Sequence, residues 1–247
     1  MKCALRQVGL TVFVTTLGLL SVGCQTKGPE QKSAPSSEVS LQEQIEAVAS
    51  GKQDSIEIEA TAIRDEQLNP ISSLTTLRVL KLQRGAVSDA GLRSIGSLPK
   101  LEQIVLRDSP VTDEGAEILS GFAALRIVNL PQSHIGDEGI KKLSRIPNLE
   151  LLRIGTDRAI SADGLKSLCD AKNLRFVHLI GVALEDGALT PLGEIPALES
   201  LYIDGSQFSD EAISALLRRR PGLHLHLDQR HHDSDPQASK HSHSISK

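Results

Sequence analysis

Carboxylates recur along this chain at a nearly fixed interval: Asp65, Asp89, Asp113, Asp137, Asp163, Asp186 and Asp210. A row of acids is the side-chain chemistry of a calcium site, but calcium needs roughly six to eight oxygens converging on one ion. One Asp per turn of a repeat does not converge. Each Asp stands at the start of a stretch with helical apolar spacing, where a carboxylate accepts a backbone N–H and favours the positive helix end. Helix capping is therefore the expected role of the column. Gly91, Gly115, Gly139 and Gly164 recur at one phase behind it and belong to the same turn chemistry. They make no phosphate loop, since neither G-x-G-x-x-G nor G-K-[ST] occurs.

Imidazoles and thiols are the other reactive candidates. His224 and His226 alternate in "HLHLD", and His231, His232, His241 and His243 follow in a polar tail. Such a set could hold a metal ion, which gives one reading, a metal-binding surface protein, although scattered His in a polar tail usually do nothing. Cys169, in "SLCDAKNL", reads as a small buried hydrophobe rather than a nucleophile. No nucleophile elbow, HExxH or CxxC is present. Neither enzymatic chemistry nor a cofactor is expected. With 27 Lys and Arg against 31 Asp and Glu and no basic stripe, the chain lacks the electrostatic footprint of a nucleic-acid binder.

The two ends differ from the middle. Lys2 and Arg6 precede an uncharged apolar run from Val8 to Val22 that closes on "SVGC" at 21–24. Residues 1–23 read as a secretory signal, too short and wrongly flanked for a spanning helix. Its ending resembles a bacterial lipobox, with Ser21 where that family usually has Leu. The resemblance implies cleavage before Cys24, acylation of its sulfur and a membrane anchor, stable when two or more chains are attached. Gln25, where inner-membrane lipoproteins often carry Asp, implies the outer membrane of a bacterial envelope. An ordinary signal peptide cut near Gly23, or an uncleaved anchor, is the alternative. Residues 24–39 are a Pro/Ser-rich flexible linker, and 229–247 a His-rich tail of disordered composition. Removing Lys2 and Arg6 takes the net charge from −4 to −6. With Cys24 acylated, Cys169 is left without an intrachain partner.

Between the ends the chain repeats itself. Ile63, Val87, Val111, Ile135, Ile160, Leu184 and Phe208 open seven units, in steps of 24 residues apart from one step of 25. The odd step is read as an insertion that places Asp163 three residues after Ile160. Within a unit, Leu92, Ile95 and Leu98 share a helical face, and Ile104 and Leu106 alternate as strand residues do. Pro99, Pro147, Pro196 and Pro221 stand where each helix must stop. "LRVLKL", "LEQIVL", "LRIVNL", "LELLRI", "LRFVHL" and "LESLYI" all fit L-x-x-L-x-L. This resembles the leucine-rich repeat family, in its 24-residue bacterial variety, over roughly residues 55–228. The resemblance implies an α/β solenoid, a curved horseshoe with a parallel β-sheet on the concave side and helices on the convex side. Many such repeats carry Asn three places after the strand; here stand Gly85, Ser109, Ser133, Asp157, Val182 and Ser206, so Ser hydroxyls are expected to satisfy that turn. "SLQEQIEAVAS", with Ser40 as N-cap and Glu43 three places on, reads as a helix covering the N-terminal end of a domain spanning 40–228.

The x positions of the strands point outward and fall in columns. The first runs Val79, Gln103, Ile127, Leu151, Phe176, Ser200, His224; the second Lys81, Val105, Asn129, Arg153, His178, Tyr202, His226; the third Gln83, Arg107, Pro131, Gly155, Ile180, Asp204, Asp228. These could be strand formers chosen for propensity alone. The single Tyr and one of four Phe nevertheless stand among them. An apolar and aromatic patch on a rigid sheet marks a contact surface. The candidate partner-binding residues are Arg153, Phe176, His178, Ile180, Tyr202, Asp204, His224 and His226. The expected activity is that of a lipid-anchored envelope protein, a monomer, holding an unidentified protein partner on the concave face. A metal-binding surface protein and a purely structural envelope component are the alternatives.

Overall fold

The computed structural model describes residues 39–228 and 230–231. The signal, Cys24 and the rest of the tail, with its other imidazoles, lie outside the described residues. Strands run in the order β1 (Ser55–Ile58), β2 (Ile63–Arg64), β3 (Val79–Leu82), β4 (Gly85–Ala86), β5 (Gln103–Leu106), β6 (Ile127–Ser133), β7 (Leu151–Thr156), β8 (Phe176–Ile180), β9 (Ser200–Asp204), β10 (His224–Leu227) and β11 (Arg230–His231). Helices are α1 (Leu41–Ala49), α2 (Asp89–Ser94), α3 (Asp113–Ser120), α4 (Asp137–Leu143), α5 (Ala162–Lys166), α6 (Leu189–Leu192) and α7 (Asp210–Arg219).

One sheet takes the order β1-β3-β5-β6-β7-β8-β9-β10-β11, each strand beside the next in sequence apart from the short pair β2-β4. All pairings in it are parallel until β11, which returns antiparallel with His231 opposite His226. Parallel neighbours need a crossover, and the helical half of every repeat supplies it. The inward residues of each strand motif, such as Leu125, Val128 and Leu130 or Leu149, Leu152 and Ile154, are fully buried in one continuous core. At the N-terminal end Ser40 and Glu43 form a capping box, and Ile45 and Val48 of α1 cover the core. The first repeat departs from the helical expectation: Asp65–Ser73 is a 3-10 helix. Pro70 within it has no N–H to give to an α-helical bond.

The Asp column is present but points differently from the capping reading. The N-caps of α2, α3, α5 and α7 are Ser88, Thr112, Ser161 and Ser209, each accepting a backbone N–H of its own helix. Asp65, Asp89, Asp137 and Asp186 each reach forward to the next repeat. Asp65 accepts the Ser88 backbone N–H at 2.8 Å and its hydroxyl at 2.5 Å. Asp89 does the same with Thr112, Asp137 with Ser161 and Asp186 with Ser209. The carboxylate therefore links neighbouring repeats by holding the next cap residue. The recurrent glycines follow from this. A Cβ on Gly91, Gly115, Gly139 or Gly164 would collide with the carboxylate of the preceding repeat's Asp65, Asp89, Asp113 or Asp137.

Two irregularities show how the chain keeps the link. At Gly136 no hydroxyl exists, and Asp113 accepts three donors instead: the Gly136 N–H at 2.7 Å, the Gly139 N–H at 3.0 Å and the Arg158 guanidinium at 2.8 Å. The extra residue of the long repeat falls in the loop that carries Arg158, ahead of Ile160. Asp163 is therefore not the displaced column member: Ala162 opens α5 where an Asp opens α2, α3 and α4. Among the described residues Asp163 forms no hydrogen bond or ion pair. The Ser positions behave as expected: Ser109, Ser133 and Ser206 are buried, and their hydroxyls bond backbone groups of the turn or of an adjacent repeat.

Asp89→Ala removes two charge-assisted bonds between repeats and should cost about 1 to 3 kcal/mol. Asp163→Ala should fall within about 0.5 kcal/mol of the parent. Urea midpoints separate the two, and equal losses would contradict the forward-reaching role.

Candidate functional site

The register fixes the outward columns residue by residue. Lys81, Val105, Asn129, Arg153, His178, Tyr202 and His226 are successive Cα partners across seven strands. Val79, Gln103, Ile127, Leu151, Phe176, Ser200 and His224 form the column beside them. The third column is not continuous. The register shifts between Leu130 and Ser133, and Pro131 and Gly155 are buried there. A Cβ on Gly155 would run into the Pro131 carbonyl. Only Ile180 and Asp204 survive from it as paired outward positions.

At the C-terminal end the side chains form one connected group. Tyr202 stacks on His226 with centroids 4.4 Å apart and planes at 21°, and leans on His178 at 5.4 Å. His178 Nε2 lies 2.9 Å from Asp204 Oδ2. The Tyr202 hydroxyl is 3.3 Å from His224 Nδ1, and His224 Nε2 is 2.9 Å from His226 Nε2. Two imidazole nitrogens at that distance require one N–H and one lone pair. His224 itself is buried, 8% exposed, against Ser200, Tyr202 and His226. Sequence reasoning counted it among outward contact residues; the structure makes it the support on which Tyr202 and His226 rest. Among the described residues no three His, Cys, Asp or Glu side chains converge as a metal-binding group.

Next to this group is a shallow groove of about 490 Å³, with Ile127, Leu151 and Phe176 on its apolar side and Asn129, Arg153 and Tyr202 across from them. Arg175 lies over the Phe176 ring at 5.1 Å. Burial, then the neighbouring Arg107, lower the pKa of the Arg153 guanidinium, while Asp204 opposes the shift. Of the expected site residues, His178, Tyr202, Asp204, His224 and His226 are joined directly. Arg153 and Phe176 line the groove, and Ile180 sits beside Asp204 at the end of β8. Ile127, Leu151 and Asn129 were not singled out in the sequence. Their signal was membership of the same two columns, which the search for aromatics and charges passed over.

The family model for leucine-rich repeats matches residues 73–96 and 125–144. No curated protein matches the sequence significantly. Among solved structures, internalin C2 from Listeria monocytogenes superposes with a TM-score of 0.50 at 19% identity, covering 70% of this chain and 69% of its own. An internalin F from the same organism gives 0.49 at 18% identity, covering 79% of this chain and 61% of its own. The family match and the likeness to internalin C2 show the fold: the chain is a leucine-rich repeat solenoid.

The chain holds one Tyr and no Trp, so its intrinsic emission reports on Tyr202 alone. Removing the ring that stacks on it should change Tyr202 emission, so His226→Ala should differ from the parent while Lys81→Ala should not. Emission that is the same in all three would contradict the stacked arrangement.

Proposed function

We propose that this leucine-rich repeat solenoid is a bacterial envelope lipoprotein that binds a protein partner on the C-terminal half of its concave sheet. The observation that carries the binding part is the concave surface from β6 to β10. It presents an open groove with apolar walls beside a preassembled Tyr–His group, on a sheet held rigid by repeat-to-repeat bonds. Aromatic side chains on a fixed backbone bury much area at little entropic cost, which is what contact hot spots use. The N-terminal end of the same face is different in kind: Lys81 is already paired with Glu57 at 3.1 Å. Binding rather than catalysis is the proposal, with the stacked and edge-to-face rings of the Tyr–His group acting as a platform.

The anchoring part rests on sequence: Lys2, Arg6, the apolar run and the small residues before Cys24. A solenoid tethered by acyl chains and a polar linker would be an exported, membrane-attached protein. A second reading, metal binding at His224 and His226, has one observation in its favour, the 2.9 Å approach of their Nε2 atoms. Zinc titration followed through Tyr202 emission distinguishes it, because a partner site does not need the ion.

With a partner captured from envelope extract, Tyr202→Ala should weaken binding by about 2 kcal/mol or more, and Lys81→Ala should matter little. Equal and negligible losses in calorimetry would move the site off this patch. Labelled palmitate should be incorporated by the parent chain and not by Cys24→Ser. A parent chain that takes up no label would remove the anchor from the proposal.

A further inference from the structure

Several guanidinium groups among the described residues already hold a carboxylate. Arg78, Arg126 and Arg175 grip Glu102, Glu150 and Glu199 one repeat on, each through two nitrogens. Arg158 holds Asp113, and Arg219 holds Glu194. Arg153 is different. It lies on β7 in the second concave column, between Asn129 of β6 and His178 of β8. Among the described residues its side chain has no hydrogen bond or ion pair, and its Nε is buried without an acceptor. The adjacent Asn129 Oδ1 is also buried and unpartnered.

The surroundings do not supply the missing anion. Arg107 has the same sign, and the Asp204 carboxylate is engaged by His178 at 2.9 Å. A guanidinium keeps its charge. The groove floor therefore carries a partly desolvated cation whose cost is unmet until an acceptor arrives. The planar fork of Arg suits a carboxylate, which can take two parallel N–H bonds. Ile127, Leu151 and Phe176 line the groove beside it and offer a wall for an apolar side chain. Asn129 Oδ1 is an acceptor placed to take a backbone N–H of whatever chain lies there.

We infer that Arg153 docks a carboxylate of the protein partner, an Asp or Glu side chain next to an apolar one in an extended segment laid across the concave strands. The inference rests on the concave face being the binding site and adds the partner's chemistry to it. Charge complementarity selects the occupant: an unpaired cation facing an apolar wall favours an acidic-apolar segment over a basic one.

The test uses the full chain, with Arg153→Gln and, as a control on an exposed and already paired arginine, Arg78→Gln. Far-ultraviolet circular dichroism and urea midpoints confirm that each variant folds. The probes are pools of acetylated octapeptides, free of Tyr and Trp, with Leu-Glu, Leu-Gln, Leu-Lys or Leu-phosphoserine at the centre and randomised flanks. Binding is titrated by Tyr202 emission and by calorimetry. The parent protein should prefer Leu-Glu over Leu-Gln by about tenfold, equivalent to one charge-assisted contact. Arg153→Gln should abolish that preference and Arg78→Gln should keep it. A preference that is absent in the parent, or that survives Arg153→Gln, overturns the assignment. The concave site itself would still stand if Tyr202→Ala weakened the same peptides. A strong preference for phosphoserine over Glu would make the site one for phosphate and overturn the carboxylate. Failure of every pool to bind would overturn both this inference and the binding reading beneath it.

Discussion

No repeat of this chain can close its own core, and behind Asp65, Asp89, Asp113, Asp137 and Asp186 the bond that fastens one repeat to the next is a carboxylate reaching forward. A 24-residue turn buries its leucines only between two neighbours. Stacking alone is non-directional and would tolerate sliding. The Asp–Ser pair removes that freedom, because one carboxylate takes both the backbone N–H and the hydroxyl of the next cap residue. Gly91, Gly115, Gly139 and Gly164 leave space for the carboxylate behind the cap, whereas Ala212 holds that place behind Ser209. Where Gly136 lacks the hydroxyl, a loop longer by one residue brings Arg158 in to replace it. A change of repeat length and a missing side chain thus compensate each other at one junction.

The same coupling positions the candidate site. Because successive repeats are locked in register, outward residues on adjacent strands stand about 4.8 Å apart, close enough for rings to meet. Tyr202 touches His178 on one side and His226 on the other for this reason. The paired arginines at the strand starts, Arg78, Arg126 and Arg175, neutralise their glutamates along one margin of the sheet. Arg153, three residues further along its own repeat, has no such partner among the described residues, so the sheet's interior surface retains a cation beside an apolar wall.

Much of this was legible in the sequence because it depends on period. The strand register, the buried leucines, the capping helix over Ile45 and Val48, and the columns holding Arg153, His178 and Tyr202 all follow from counting residues. What was not legible depends on direction and depth. Spacing places an Asp at a helix start but does not say that it bonds the following repeat rather than its own helix. Counting two residues from Ile160 lands on Ala162; reading the next residue, Asp163, as a column member displaced by an insertion misplaces the extra residue, which lies ahead of Ile160. Alternation turns His224 outward, but outward on a column ringed by Ser200, Tyr202 and His226 is still buried. The third column fails at Pro131 and Gly155 because the register shift there is set by backbone contact, which no side-chain pattern records. Just past the strand, the left-handed φ of 49° at Asp228 turns the chain, and Arg230–His231 pairs back on β10.

Native-state hydrogen exchange, read strand by strand at rising urea below the unfolding transition, tests the coupling most directly. If carboxylates lock each repeat to the next, the slowest amides of β5 to β9 should converge on one opening free energy. They should also weaken together when Asp137 is replaced by Ala. Separate opening energies grouped by repeat, with only the strands flanking that junction affected, would contradict the account.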